Sequence, residues 1–93
     1  MERQKALDLL NSTHDFPGGF VFRVVVRPGS RASVVSAVSA AGADRLRVKD
    51  VRERASSKGT YASVHVDVEV DEAEVVLDVF AVLQSMDEVI MLL

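Results

Sequence analysis

Two polar segments of the sequence contain side chains that could bind an anion. The first, which we call the arginine loop (residues 27–31), reads Arg-Pro-Gly-Ser-Arg and precedes a predicted helix, whose free amides and dipole attract negative charge. The second, the serine–lysine turn (residues 56–59), offers two hydroxyls, an ammonium group and turn amides, which are suitable donors for phosphate or carboxylate. The candidate ligand-binding or partner-binding residues are Arg27, Ser30, Arg31, Ser56, Ser57, Lys58, Gly59 and Tyr61.

The serine–lysine turn also has a purely structural interpretation. It lies between two predicted strands, and Gly59 can adopt the positive φ angle that a tight hairpin requires. Anion binding by Lys58 and the two hydroxyls is a separate hypothesis, because no Gly-x-x-x-x-Gly-Lys pattern accompanies them. The two roles are compatible, and the sequence leaves both open.

The sequence contains no recognisable catalytic or metal-binding constellation. The arginine loop has the position of the catalytic arginine in acylphosphatases of the topology predicted below. Such an enzyme also needs a side-chain amide to orient water, and the only asparagine, Asn11, lies outside the predicted core. His65, Asp67 and Glu69 share one strand face, but side chains two residues apart on a strand are separated by roughly 7 Å, too far to share one cation easily. We therefore expect no catalytic residues, no metal and no cofactor.

The composition is that of one globular domain with an uneven order of charges. The chain has 93 residues and a net charge of −3, which argues against a strongly basic nucleic-acid binder. Residues 23–58 contain nine Lys or Arg against three acids, whereas residues 67–88 contain eight acids and no base. This order indicates either a solvated basic strand followed by an acidic helix, or a bipolar surface that docks a partner or a second copy.

The N-terminal segment and the cysteine content bear on the location of the protein. Residues 1–15 are predicted to form an arm or short helix ahead of a single domain at 16–93, and they are charged, with no long apolar run after them. This pattern predicts neither a signal peptide nor a membrane span. The chain contains no cysteine, so it has no disulfide or thiolate chemistry. We expect a cytoplasmic protein.

Apolar periodicity predicts six elements after a loop at residues 11–19. The clearest is the strand at 60–70, where five apolar residues occupy every second position. Ser30 is a predicted cap of the first helix and Gly42 its left-handed end, while Asp71 and Glu74 resemble a capping box at the start of the second. The predicted elements are a strand at 20–27, a helix at 30–42, a charged edge strand at 44–55 with a bulge near Lys49 or Asp50, a strand at 60–70, a helix from 71 and a strand at 88–93.

This order of elements predicts an α+β fold. Right-handed crossovers convert strand, helix, strand, strand, helix, strand into a four-stranded antiparallel sheet with both helices on one face, the ferredoxin-like βαββαβ sandwich. Val75, Val79 and Val82 extend the apolar surface of the second helix beyond what one sheet needs, and the last strand is apolar on both faces. We therefore expect a homodimer.

Three stretches of the sequence resemble the YbeD-like family of small bacterial proteins, a domain of unknown function. They are FPGGFVFRVVV (16–26), SSKGTYASVHVDV (56–68) and VIMLL (89–93), and the resemblance covers residues 14–93. Its most specific element is the Ser-Ser-Lys-Gly-x-Tyr stretch. The resemblance implies a ferredoxin-like fold similar to the ACT regulatory domains, which bind small molecules, amino acids above all. It brings no established activity.

Fold and resemblance together predict a small, non-enzymatic regulatory module that acts through protein contacts or through a small ligand. The alternatives are an anion-sensing or nucleotide-sensing domain that uses Arg27, Arg31 and Lys58, or an RNA-binding domain, since the same element order occurs in RNA-recognition domains. The third strand of those domains carries aromatic residues at positions that are filled here by Thr60, Ala62 and His65. A nucleic-acid partner is therefore not expected.

Overall fold

The structure, a computed structural model, describes residues 2–93. A short 3₁₀ turn at Ala43–Arg45 accompanies the regular elements. These are α1 (Arg3–Thr13), β1 (Gly18–Val26), α2 (Arg31–Gly42), β2 (Leu46–Ala55), β3 (Ala62–Val70), α3 (Ala73–Gln84) and β4 (Val89–Leu92).

The four strands form one antiparallel sheet in the order β2-β3-β1-β4. The predicted α+β fold with a four-stranded antiparallel sheet is therefore confirmed. Strands β1 and β3 are central, with Val24 opposite Val64 in their register. Strands β2 and β4 are the two edges.

Alternation along the central strands separates the core from the opposite face of the sheet. In β3 every second residue from Ala62 to Val70 is buried, and the residues between them are half-buried. In β1, Phe22 and Val24 are completely buried while Arg23 between them is exposed. The helices add their own apolar side chains to the same core: Val34 and Val38 from α2, and Val75, Val76, Val79 and Leu83 from α3.

The predicted bulge in β2 is confirmed. Val48 lies opposite Val68 and Asp50 lies opposite Asp67, so Lys49 is an extra residue without a partner in the register. A bulge of this kind re-aims the side chain that it carries.

The loop prediction for residues 11–19 is wrong at both ends. Helix α1 continues to Thr13, whose hydroxyl donates to the carbonyl of Leu9 at 2.8 Å, and β1 already begins at Gly18, opposite Val70. Only residues 14–17 connect the two elements. The glycines that suggested a loop therefore belong to the first residues of the strand.

The predicted left-handed role of Gly42 is also wrong. Gly42 has an ordinary helical φ of −83°, and the positive φ of 51° belongs to Ala43. A Cβ atom on Gly42 would collide with the side chain of Leu46. The glycine is needed for the close approach of α2 to the first residue of β2.

Neither predicted side-chain cap forms. Ser30 and Glu72 are the N-cap residues of α2 and α3, and neither makes a side-chain cap hydrogen bond. Asp71 instead accepts a hydrogen bond from Arg47 Nη2 at 3.0 Å, which ties the start of α3 to β2. The acidic residue therefore serves a contact between elements rather than the helix end.

The valines that suggested a surplus apolar surface on α3 are mostly part of the core. Val75 and Val79 are 1% and 0% exposed, and only Val82, at 37%, reaches the surface. Helix α3 packs against α2 as well as the sheet, so it buries a wider stripe than contact with the sheet alone requires.

Candidate functional site

The face of the sheet opposite α2 and α3 is accessible to solvent. Strand β1 presents Val21, Arg23 and Val25 there, and β3 presents His65 and Asp67. All of these residues are half-buried or exposed. We call this surface the open face.

A shallow groove crosses the open face near the end where β1 begins. Its volume is about 460 Å³, within the range of small-molecule sites. The lining mixes charged with apolar side chains. The charged ones are Arg23, Lys49, Asp67 and Glu69, and the apolar ones include Val21 and Leu93.

Local backbone features open the groove and arrange its lining. Lys49 follows the core-facing Val48 and therefore points to the open face, and the bulge places Asp50 on the same face opposite Asp67. Gly19 lies opposite Glu69 in the register, so this part of the floor carries no side chain. His14 and Phe20 also line the groove, and the ring of Phe20 packs against Phe22 and Phe80 on the core side of the sheet.

Most arginines beside the open face are neutralised within the chain. Arg52 contacts Asp67 at 3.0 Å and Arg47 contacts Asp71 at 3.0 Å. Arg45, at the start of β2, contacts Glu72 at 2.7 Å. Three bases of the basic stretch thus pair with three acids of the acidic stretch across β2, β3 and the start of α3.

The charged residues of the groove are less compensated. Among residues 2–93, Arg23 and Lys49 take part in no ion pair, and neither does Glu69. The groove therefore holds two cationic side chains and one carboxylate that are available to a ligand, together with an Asp67 that is already held by Arg52.

The structure brings the arginine loop and the serine–lysine turn to one end of the sheet, opposite the end with the groove. Val26 at the end of β1 pairs with Ala62 at the start of β3, and Ala62 also pairs with Ala55 at the end of β2. Both predicted segments follow directly from these residues.

The serine–lysine turn has the structural role that its sequence predicts. Gly59 has a φ of +69°, and its amide donates to the carbonyl of Ser56 at 3.0 Å. The Ser56 hydroxyl accepts a hydrogen bond from the Tyr61 amide at 3.1 Å, so this oxygen is already engaged within the turn. Ser57 and Lys58 are exposed at its tip.

The arginine loop is only partly free to receive an anion. Arg31 Nη2 donates to the carbonyl of Val51 at 3.4 Å, and its other terminal nitrogen lies 3.9 Å from Glu53. Ser30 is 6% exposed, whereas Arg27 is exposed. Anion binding by these two segments remains a prediction, with Arg27 and Lys58 as its most accessible cations.

The groove was not predicted as a site, although part of its signal lay in the sequence. The parity of β1 gave the outward direction of Arg23, and the irregular spacing in β2 gave the bulge at Lys49. The approach of His14 and Leu93 to the same groove depends on tertiary structure, and no local pattern contains it.

The edge strand β4 carries the most exposed apolar surface of the sheet. Ile90, Met91 and Leu93 are 47%, 52% and 63% exposed. The Leu93 amide donates to the carbonyl of Arg23 at 2.9 Å, which turns the neighbouring backbone groups of Leu92 toward the free edge. This edge is therefore a candidate surface for contact with another polypeptide.

Comparison with protein-family models gives a match over most of the chain. Residues 11–93 match the model of a family described as "Protein of unknown function (DUF493)". The match includes every strand, α2 and α3, and leaves most of α1 outside. No curated protein matches the chain. Within residues 2–93, no helix has the length and apolarity needed to cross a membrane.

Proposed function

This chain belongs to the family of proteins of unknown function DUF493, the YbeD-like proteins, and from that premise we propose that it is a binding module that associates with a second copy of itself through β4. Association is the basis of a regulatory, non-enzymatic role in the cytoplasm. The observation that carries the proposal is the exposure of Ile90, Met91 and Leu93 along an edge strand. Contiguous apolar surface of this kind is typical of interaction sites.

We also propose that the domain is ferredoxin-like and related in shape to the ACT domains. The strand order β2-β3-β1-β4, with α2 and α3 as the connections after β1 and β3, supports this assignment. The assignment matters for function because such a sheet offers two edges and one open face for contacts.

A second copy fits the β4 edge for a reason of symmetry. An isologous contact between two copies places the two β4 strands antiparallel, so the beginning of one strand lies next to the end of the other. The exposed side chains of Ile90 and Met91 then meet their counterparts and lose contact with water. The free backbone groups of Leu92 gain hydrogen-bond partners in the same contact.

Charge complementarity supports the same partner. Asp87 and Glu88 precede β4, and Arg23 lies beside its end, where its carbonyl accepts the Leu93 amide. None of these three charged side chains has an ion-pair partner among residues 2–93. In the antiparallel contact, the acids of one copy approach the arginine of the other, which favours this orientation.

The experiment is a measurement of molar mass by light scattering as the protein concentration is raised. We expect the wild-type chain to form a dimer at concentrations up to about 1 mM, which detects an association as weak as about −4 kcal/mol. Met91→Glu places a carboxylate in the contact and should leave a folded monomer. The matched control is Leu9→Glu on α1, because Leu9 is also 53% exposed but lies far from β4 in the sequence and on another element.

Two results would contradict the proposal. One is a wild-type chain that stays monomeric over the whole concentration range. The other is a dimer that Met91→Glu leaves intact while Leu9→Glu disrupts it, because the contact would then involve α1. Circular dichroism of each variant establishes that the fold is retained.

A further inference from the structure

We propose that the groove on the open face binds a small monocarboxylate with an apolar body. The groove shares Arg23 and Leu93 with the surroundings of the proposed β4 contact, so a ligand and a second copy would compete for Arg23, but ligand binding does not require the dimer. It rests on three features of the groove: two cations without partners, one carboxylate that restricts the charge of the ligand, and an apolar wall.

The two cations are the groups that would hold the carboxylate. Arg45, Arg47 and Arg52 each contact an acid of this chain at 3.0 Å or less, whereas Arg23 and Lys49 contact none among residues 2–93. Both nevertheless line the same groove, one from β1 and the other from β2. A guanidinium and an ammonium group that converge on one space are suitable donors for a carboxylate.

The bulge in β2 lies directly beside the groove. Lys49 has the same parity as Arg47, so the alternation of the strand already places it on the open face, and the bulge puts Asp50 opposite Asp67 on that face as well. Bulges occur preferentially beside functional sites. Lys49 is one of the two cations of the groove that have no ion-pair partner among residues 2–93.

Glu69 limits the ligand to a single negative charge. Asp67 is neutralised by Arg52 at 3.0 Å, but Glu69 has no ion-pair partner among residues 2–93. The available charges of the groove are therefore two positive and one negative, with a net charge near +1. A monoanion fits this balance, whereas a polyanion such as a nucleotide triphosphate would be repelled by Glu69 and would exceed the available cations.

The apolar wall gives the rest of the ligand a place to pack. Val21 lines the groove from β1 and Leu93 lines it from the position directly after β4. His14 lines it as well, whereas the ring of Phe20 packs against Phe22 and Phe80 on the core side of the sheet. A ligand with an aromatic or branched body would bury apolar surface against these side chains while its carboxylate faces Arg23 and Lys49.

Gly19 has no side chain, so the floor of the groove is open there. A larger residue at this position would fill that space. A Cβ atom at this position would meet only the carbonyl oxygen of Val68, at 3.9 Å, which is an ordinary contact. Gly19 also has no positive φ. A larger side chain is therefore compatible with the backbone, and it would occupy space in the groove.

The experiment is an NMR titration of the full chain labelled with ¹⁵N. The probe is phenylacetate, and the comparison compounds are neutral phenylacetamide and the polyanion ATP. We expect phenylacetate to shift the amide signals of Gly19, Arg23, Lys49 and Glu69 with a millimolar dissociation constant. Phenylacetamide and ATP should bind at least about tenfold more weakly, because one lacks the charge and the other carries too much of it.

Variants test each part of the site. Arg23→Gln and Lys49→Gln should each weaken phenylacetate binding by about tenfold, since each removes one charge-assisted contact. Glu69→Gln should strengthen binding because it removes a repulsive charge. Gly19→Val should abolish binding and leave the fold unchanged. The matched control is Arg54→Gln, a base on an exposed strand position that does not line the groove and has no ion pair among residues 2–93.

Three results would overturn the proposal: no shifts with phenylacetate, equal binding of phenylacetamide, or unchanged binding in both Arg23→Gln and Lys49→Gln. The Met91→Glu variant allows ligand binding to be tested separately from dimer formation, because Met91 does not line the groove. That variant should retain phenylacetate binding whether or not β4 mediates association.

Discussion

The two edges of the sheet have opposite chemistry. Strand β2 is ten residues long, and its exposed positions are largely charged, including Arg47, Asp50 and Arg52. Strand β4 has four residues, and its exposed side chains are Ile90 and Met91, followed by Leu93. Charges on an edge strand oppose pairing with other chains, whereas an apolar edge lacks this protection. This difference supports the proposed contact through β4.

The internal ion pairs of β2 strengthen this contrast. Arg47 and Arg52 hold Asp71 and Asp67 at 3.0 Å each, so the charged edge is also tied to the elements beside it. The charged residues around β4, Asp87, Glu88 and Arg23, have no such partners among residues 2–93. The proposed dimer gives them partners.

The largest expected effect on stability comes from a substitution that disturbs the contact between α2 and the first residue of β2. Gly42→Ala would place a Cβ atom against Leu46 and should lower the free energy of unfolding by about 1–3 kcal/mol, the typical cost of overpacking. Gly19→Ala is the matched control, because its Cβ would lie 3.9 Å from the nearest atom, the Val68 oxygen. Urea denaturation of both variants measures the difference. Equal stability would mean that the start of β2 is not held by this contact.

Removing charge from β2 should reduce the difference between the two edges. Lys49→Thr with Arg54→Thr takes two positive charges from this edge without breaking an ion pair of the described residues, and threonine favours strand structure. Because β4 is already apolar, a chain in which both edge strands can pair with other copies should form assemblies larger than a dimer. Light scattering at a fixed concentration measures this change.

The control for that variant removes the same charge elsewhere. Lys5→Thr with Lys58→Thr also takes away two positive charges, from α1 and from the serine–lysine turn. It should keep the size of the wild-type assembly. If both double variants assemble equally, net charge rather than the chemistry of the β2 edge controls association.

The smallest expected effect is the loss of the Arg52 ion pairs on the charged edge. Arg52→Ala removes the contacts with Asp67 at 3.0 Å and with Asp50 at 3.9 Å and should cost about 0.2–1 kcal/mol, since the Arg52 side chain is 58% exposed and solvent screens both contacts. The matched variant Arg54→Ala should change the stability even less, because Arg54 has no ion pair among residues 2–93. A cost above that range would make these pairs a principal anchor of β2.

The fold was predictable where local patterns agreed with tertiary packing. The alternation of β3 from Ala62 to Val70 fixed which face is buried, and the broken spacing near Lys49 indicated the bulge. Local patterns failed where a distant residue decided the outcome. Gly42 is needed because of Leu46, and Asp71 is engaged by Arg47.

The same distinction between local and distant contacts decides how much of each candidate site was predictable. The turn formed by Ser56 and Gly59 was predictable because its hydrogen bonds are local. The engagement of Arg31 by Val51 and Glu53 was not, and neither was the groove, because it joins residues from the first and last parts of the chain. The exposure of the β4 edge lies between these cases, since its apolar sequence was visible and its position in the sheet required the topology.

The most direct test of the proposed β4 contact is an isotope-filtered NOE measurement on a mixed sample of labelled and unlabelled chains. Such a measurement detects only contacts between different copies. We predict NOEs that join Ile90 and Met91 of one copy to β4 of the other, and their loss in Met91→Glu. Contacts between copies that involve β2, α1 or the serine–lysine turn without β4 would contradict the account.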